Sequence, residues 1–501
     1  MNIVDFITRN AEFYPHRRAI ICGDDGREFT WSEYSQLINR LGNGLINLGV
    51  QKGDRVGIYL PNGPEWLIAF FGAMKIGAVA LPFNILYKTG EISYILSNSR
   101  AKVVIGASPE VKQNILNILN EIPLVERIIT LGEPLEGTID FQSFISENSD
   151  VLATVDCAED DTATMLYTSG TTGRPKGVML THKNFVTKAA VNGVAEQISE
   201  QDIFMTATPY CHIFITVTLL GPLYVGASVL SMSRFNPDKA LELLSRYRVT
   251  HFAGVPTMYI FMMNSYSPEK HDLSAWRFKQ TAGYSMPPEL FNKIEGAFGP
   301  GLCEYYGSTE TGATVTYNRF GHSKIGSIGP AAPGYSMKVV DENFNELPAN
   351  EVGELLVKGN GIFKGYWEMP EATNEAFKDG YFCTGDLGYK DEDGYFYIVD
   401  RKKDLILCGG YNVYPREVED ILYQNPKILE CAILGKEDPD RGEVPVAYIV
   451  LRQGEQLTEE EVIDFCKQRM ASYKVPRFVN FIDEIPKSST GKILKRMLKA
   501  D

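Results

Sequence analysis

The sequence predicts an α/β chain: a large N-terminal domain of helix-covered sheets, a β-barrel-like subdomain, and a small α+β unit at the C-terminus. Three observations predict it. From Met1 to about Asp150, and again after the glycine-rich stretch at 167–177, short apolar runs alternate with amphipathic segments, as parallel strands and their covering helices do. From about Ile325 to Asp400 the texture changes to short strands with glycine turns such as Asp391-Glu392-Asp393-Gly394, which reads as antiparallel or barrel-like. Roughly the last hundred residues form a separate α+β pattern. The boundaries are then 1–399 for the N-terminal domain, with its barrel-like part at about 325–399, 400–404 for the junction, and 405–501 for the C-terminal domain.

Strand candidates in the first part are Ala19–Cys22, Val56–Leu60, Val79–Leu81 and Val103–Ile105. Thr30-Trp31-Ser32-Glu33 fits a capping box that opens a helix toward Leu48, with Gly49 as its stop. After the glycine-rich stretch, Ile203–Ala207, Ala227–Ser231, Thr250–Val255 and Leu302–Tyr306 are strand candidates, with helices at Asp238–Tyr247 and Pro288–Phe298. Near the C-terminus Pro415–Tyr423 and Thr458–Met470 read as helices, and Ala432–Leu434 and Val446–Leu451 as pairing strands. Two long apolar stretches, Trp66–Phe83 and Ile213–Met232, are broken by Lys75 and Gly77 and by Gly221-Pro222 and Gly226. Each reads as a buried helix turning into a buried strand rather than a membrane span.

A formal charge of −14 argues against a general nucleic-acid or anionic-membrane binder. The eight cysteines are scattered, without Cys-x-x-Cys or metal-ligand spacing to the six histidines, which suits reduced thiols in a cytosolic protein and suggests no zinc site. Met1–Arg18 lacks the apolar core of a signal peptide, so the expected location is the cytoplasm.

Four segments carry chemistry. Tyr167-Thr168-Ser169-Gly170-Thr171-Thr172-Gly173-Arg174-Pro175-Lys176-Gly177 follows a strand-like run and precedes a helix start near Thr181-His182. Its glycines let backbone N–H groups approach an anion, its hydroxyls add donors, and Arg174 and Lys176 add positive charge, so the loop suits phosphates. It is not the common nucleotide loop, because Pro175 stands where Gly-Lys-Ser/Thr would have to end. Glu304-Tyr305-Tyr306-Gly307-Ser308-Thr309-Glu310-Thr311 ends a strand in a hydroxyl and a carboxylate, donors for a phosphate and its magnesium; alone it equally fits a polar turn. Tyr381–Leu387 places Asp386 after a glycine, able to accept from two vicinal hydroxyls, and alone it fits a surface turn better. Pro486–Leu494 places Lys492 after Thr490-Gly491, where a lysine can act as a mobile point charge, although a terminal lysine is ordinarily just solvated.

In this order and over nearly the whole chain, the four segments resemble the signature motifs of the adenylate-forming superfamily, and within it the AMP-forming acyl-CoA synthetases of the fatty-acid–CoA ligase kind. The resemblance implies an ATP-dependent acid–thiol ligase that makes an acyl-adenylate and then an acyl-CoA, with ATP, Mg²⁺ and coenzyme A as its small molecules. It makes Lys492, Thr309, Glu310 and Lys176 catalytic. It assigns Thr168, Ser169, Gly170, Thr171, Thr172 and Lys176 to the phosphates, Tyr306 to adenine, Thr309 to the α-phosphate, and Asp386 and Arg401 to the ribose. Gly283, Tyr284, Glu304 and Gly307 complete the nucleotide set, and Glu310 with Thr168 forms the metal set. Lys403 becomes a hinge about which the C-terminal domain swings, removing Lys492 and presenting Leu407–Tyr411, with Gly409 and Gly410, to a pantetheine tunnel. The residues alone equally allow a glycine turn there.

His212, Ile213 and Tyr284 fall in the acyl pocket. Ile213 and Tyr284 are bulkier than many relatives carry, which favours a short, medium, branched or cyclic acid, unless they merely redirect the tunnel. Free coenzyme A is the expected acceptor, since no carrier-protein segment follows Asp501 and no insertion lies between Asp386 and Arg401 or between Lys403 and Tyr411. The expected partner is a small carboxylic acid, with no nucleic acid and no transmembrane segment, and a homodimer is compatible with these features. The alternatives are an adenylating enzyme serving a carrier protein, and a non-catalytic nucleotide sensor on the same fold.

Overall fold

The structure, a computed structural model, describes residues 2–168, 174–214, 216–283, 286–318, 322–487 and 493–498. Two large sheets dominate the N-terminal domain. One has eight strands in the spatial order Gly365–Tyr366, Lys176–Thr181, Thr162–Thr168, Val79–Pro82, Arg55–Tyr59, Ala101–Ala107, Arg127–Leu131, Ile139–Asp140. It is parallel from Thr162–Thr168 onward and antiparallel at the two strands before it. The second has seven, in the order Leu302–Glu304, Phe278–Thr281, His251–Gly254, Ile203–Thr206, Ser228–Ser231, Arg18–Cys22, Glu28–Thr30, antiparallel only at its last pair. Trp31, Trp66, Phe70, Phe71 and Phe185 belong to one buried core shared by elements of both sheets.

Local signals set many of the elements. Thr30 and Glu33 exchange both bonds of the capping box that opens the helix Trp31–Asn47, and Thr458 with Glu461 does the same for Glu459–Lys467. The stretch Trp66–Phe83 is the buried helix Pro64–Lys75 followed by the buried strand Val79–Pro82. The stretch Ile213–Met232 contains the π-helical segment Thr216–Leu220 and the helix Gly221–Val225 before the strand Ser228–Ser231. Pro222 does not end that segment, because it stands in the first turn of the helix, where a missing N–H costs nothing. Among the described residues no helix is long and apolar enough to cross a membrane.

Residues Tyr335–Arg401 build a five-stranded antiparallel sheet, and Ile406–Phe481 a second five-stranded sheet in the smaller C-terminal domain. In the latter, Ile433 pairs with Ala447 in the long hairpin of Ile428–Asp438 with Gly442–Leu451. The strand expected over Leu302–Tyr306 stops at Glu304. Beyond it the chain doubles back, with Gly307–Ser308 pairing with Ala313–Thr314. A Cβ at Gly307 would lie 1.8 Å from the Ala313 carbonyl oxygen, so only glycine allows that approach.

Candidate active site

A cavity of about 1590 Å³ opens at the carboxyl ends of the parallel strands Ile203–Thr206, His251–Gly254, Phe278–Thr281 and Leu302–Glu304, the edge where open α/β sheets place their ligands. The antiparallel sheet and the C-terminal domain close its other sides.

On one wall Tyr306, Asp386 and Arg401 form a chain of contacts. The Tyr306 hydroxyl donates to Asp386 Oδ2 at 2.5 Å, and Arg401 Nε lies 3.2 Å from Asp386 Oδ1. Asp386 and Arg401 are direct cross-strand partners of Tyr381–Lys390 and Phe396–Arg401, so sheet register sets their approach. The neighbouring Asp386 carboxylate raises the Arg401 pKa, while burial pushes up the Tyr306 phenol with Asp386 adding to it.

A second cluster lies at the start of the strand Lys176–Thr181 of the eight-stranded sheet. Lys176 begins its strand, and its ammonium stands 4.7 Å from the centroid of the Tyr366 ring. The Tyr366 hydroxyl donates to Glu310 Oε1 at 3.2 Å. Burial raises the Tyr366 phenol, with the Glu310 charge second. Thr309 is nearly buried beside Glu310, and Thr168 lines the same cavity. Ala313, three residues past Glu310, has φ +79° without being a glycine, a left-handed geometry costing roughly 1–2 kcal/mol.

Glu304 sits at the floor with a 3 % exposed side chain. Its Oε1 accepts from the Met286 N–H at 3.1 Å, and Oε2 has no hydrogen-bond partner among the described residues. Burial pushes its pKa up to about 7, against the opposing charge of Arg416. An unfolded chain releases this proton near 4.5, the folded one near 7. The stability contribution is therefore fully present below about 4.5 and lost as pH rises through about 7, by ~3 kcal/mol. Glu304→Gln should flatten that slope, read by thermal melts from about pH 4 to 8; superimposable wild-type and variant pH curves would exclude it.

Arg416, at the start of the helix Pro415–Leu422, ties the two domains together. Its N–H donates to Asp400 Oδ2 at 2.9 Å and its Nη1 to the Ile398 carbonyl at 2.7 Å, while Nε lies 3.8 Å from Asp420. Burial raises Asp420 to about 6, with Arg416 opposing. Lys495 lies 2.8 Å from Glu419.

Of the other predicted residues, Gly283 (φ +98°), Gly307, His212, Ile213 and Lys403 line the cavity, Lys403 from the turn Lys402–Asp404. Ser169, Gly170, Thr171, Thr172, Tyr284 and Lys492 lie outside the described residues. Lys487, Ile493, Leu494 and Lys495, on either side of Lys492, line the cavity, and Lys487 bridges to Ile493. Gly409 and Gly410 are not brought to the site: they are exposed, left-handed residues in the turn between Ile406–Cys408 and Tyr411–Val413, away from the cavity lining. Sequence reasoning missed Tyr366 and Arg416. The only signal for Tyr366 was a glycine-flanked aromatic, which core strands also show, and Arg416 carried none.

Residues 7–367 match the family described as AMP-binding enzyme, and residues 417–492 match the AMP-binding enzyme C-terminal domain. The chain is 34 % identical to a long-chain-fatty-acid–CoA ligase of Bacillus subtilis, covering 98 % of this chain and 93 % of that one. It is also 34 % identical to 4-coumarate–CoA ligase 2 of Nicotiana tabacum, over 98 % and 92 % of the two chains. Among solved structures it is similar to the anthranilate CoA ligase AuaEII in complex with anthranoyl-AMP, with TM-score 0.93, 32 % identity, and 99 % and 96 % of the chains covered. It is likewise similar to ATP-bound MatB from Rhodopseudomonas palustris, with TM-score 0.92, 32 % identity, and 99 % and 98 % covered. The chain thus belongs to the AMP-binding enzyme family, in the adenylate-forming superfamily of acyl-CoA synthetases.

Proposed function

We propose that the protein joins a carboxylic acid to coenzyme A in two half-reactions. In the first, the acid's carboxylate attacks the α-phosphorus of ATP, giving an acyl-adenylate and pyrophosphate. In the second, the thiol of coenzyme A attacks the acyl carbon, and AMP leaves. One observation carries the reading: the Tyr306–Asp386–Arg401 chain and the Lys176–Tyr366–Glu310 cluster face a single cavity. The first suits a nucleoside, because Asp386 is an acceptor for vicinal hydroxyls and Tyr306 a face for a base. The second suits a triphosphate.

Two anions must meet in the first step, so catalysis is positioning and charge neutralisation. Lys176 and the adjoining loop take the phosphates, and Lys492 bridges both reactants. The oxygen donors Glu310 and Thr168, with Thr309 at the phosphate, fit magnesium, which binds through one or two carboxylates plus substrate phosphates rather than a protein cage. Among the described residues there is no group of three or more His, Cys, Asp or Glu side chains that could hold a metal ion. Magnesium, when bound, supplies positive charge to the phosphates.

The domains divide at 400–404, with Lys403 as hinge between 1–399 and 405–501. Exposure of Gly409 and Gly410 on the C-terminal domain is what a second orientation would use, since a rotation about Lys403 can carry them to the cavity. Lys403→Pro, by stiffening the turn, should preserve acid-dependent pyrophosphate release and depress thioester formation; an unaffected second step removes the hinge. The acid is short, medium, branched or cyclic, with Ile213, 5 % exposed, limiting the pocket. A panel of aliphatic, cyclic and aromatic acids, with AMP and thioester followed by mass, tests the reading. One acid giving both only with coenzyme A supports it; ATP binding without turnover on any acid overturns it.

A further inference from the structure

The helix His182–Ala195 turns its inward face through Asn184, Phe185, Lys188, Ala189 and Asn192. Helical spacing puts Lys188 where an apolar side chain would ordinarily pack. It is 0 % exposed and among the described residues no carboxylate pairs with it. Its ammonium donates to the Thr314 carbonyl and stands 4.1 Å from the centroid of the Tyr335 ring. Its stem passes between two glycines: a Cβ at Gly361 would lie 2.8 Å from Lys188 Cε, and one at Gly312 3.6 Å.

What Lys188 touches is the back of the turn whose front is the proposed phosphate and metal site. Gly312 (φ +63°) and Ala313 (φ +79°) are successive left-handed residues immediately before Thr314. Thr311 Oγ1 lies 2.6 Å from the Ala313 carbonyl and accepts from the Ser308 N–H at 2.7 Å. The Glu310 carbonyl accepts from the Phe363 N–H at 2.8 Å. The same helix holds the segment behind Phe363, since Asn184 Nδ2 donates to the Asn360 and Ile362 carbonyls at 2.7 and 2.9 Å. Asn184 and Lys188, one turn apart, therefore clamp both backbone segments that meet at Glu310.

We propose that Lys188 is a positioning residue for adenylation: its buried amine fixes the Thr314 carbonyl and so holds the strained turn that aims Thr309 and Glu310 at the α-phosphate and its metal. Burial without a counter-ion makes such a lysine a poor choice for stability, and burial drives its pKa well below the ordinary lysine range. A methionine has nearly the same length and would fill the space without a desolvated amine. Retaining the amine has a physical reason only if its donor is used, and the one acceptor at hydrogen-bond distance among the described residues is the carbonyl of this turn.

The proposal rests on the ligase reading given above and is tested with Lys188→Met in the full chain. Melting temperature, magnesium-ATP affinity by calorimetry, pyrophosphate release, and thioester formation from supplied acyl-adenylate are measured together. The variant should melt at or above the wild-type temperature, bind magnesium-ATP about ten- to a hundredfold more weakly, lose adenylation in proportion, and make thioester from supplied adenylate at the wild-type rate. Unchanged magnesium-ATP affinity overturns the proposal. So does a joint fall of melting temperature and both half-reactions, which is the signature of a core residue only. Should Lys188→Met fail to fold, Lys188→Gln, which keeps a shorter donor, must show the same split between half-reactions with a smaller loss, and equal loss in both overturns the proposal. If the wild type turns over no acid, the ligase reading falls, while calorimetry still decides whether Lys188 supports nucleotide binding.

Discussion

Lys492→Ala lowers acid-dependent pyrophosphate release by about a hundred- to a thousandfold and leaves thioester formation from supplied acyl-adenylate near the wild-type rate. The asymmetry follows from charge. Adenylation brings a carboxylate onto a phosphate, and a single ammonium touching both neutralises them as the new bond forms. Thiolysis starts from a mixed anhydride in which that charge is already satisfied. The flanking residues Lys487 and Ile493 line the cavity that Glu310 and Asp386 also line. Stopped assays on the two half-reactions read the result, and equal loss in both contradicts the role.

Asp386→Ala should raise the KM for ATP by roughly ten- to a hundredfold, the loss expected of hydrogen bonds to a charged acceptor, while the KM for the acid stays put. Removal of this carboxylate deprives the Tyr306 hydroxyl and the Arg401 guanidinium of the group that orients both. Asp386→Asn keeps an acceptor oxygen but adds a donor toward Arg401, so it recovers only part of the loss. Steady-state kinetics with ATP and acid varied separately check this, and an unchanged KM for ATP in the alanine variant removes Asp386 from the nucleotide site.

Local chemistry was readable in the chain. The capping boxes at Thr30 and Thr458, the buried run Trp66–Phe83 and the pairing of Ala432–Leu434 with Val446–Leu451 depend on residues near one another, and each appears in the structure. The order of strands was not readable. Gly365–Tyr366 joins the edge of the eight-stranded sheet beside Lys176–Thr181, across a long sequence gap, and nothing in either segment announces the other. The site divides in the same way. Asp386, Tyr306 and Glu310 each stand in a short contiguous motif that alone fits a polar turn, and they were named through the resemblance of those motifs, taken together, to the superfamily's. Tyr366 and Arg416 owe their place to long-range register and to the packing of one domain on the other, and nothing in the sequence near Lys188 shows which backbone its amine meets. Gly409 and Gly410 were also named, but the orientation of the C-terminal domain leaves them exposed in a surface turn.

The central claim is that a carboxylate oxygen attacks the α-phosphorus of ATP inside this cavity, and the fate of that oxygen tests it most directly. The acid that turns over is supplied with both carboxylate oxygens as ¹⁸O, together with ATP, magnesium and coenzyme A, and the products are weighed. The account predicts one labelled oxygen in the phosphate of AMP, one retained in the thioester carbonyl, and none in pyrophosphate. Unlabelled AMP, or label appearing in inorganic phosphate beside ADP, would contradict it.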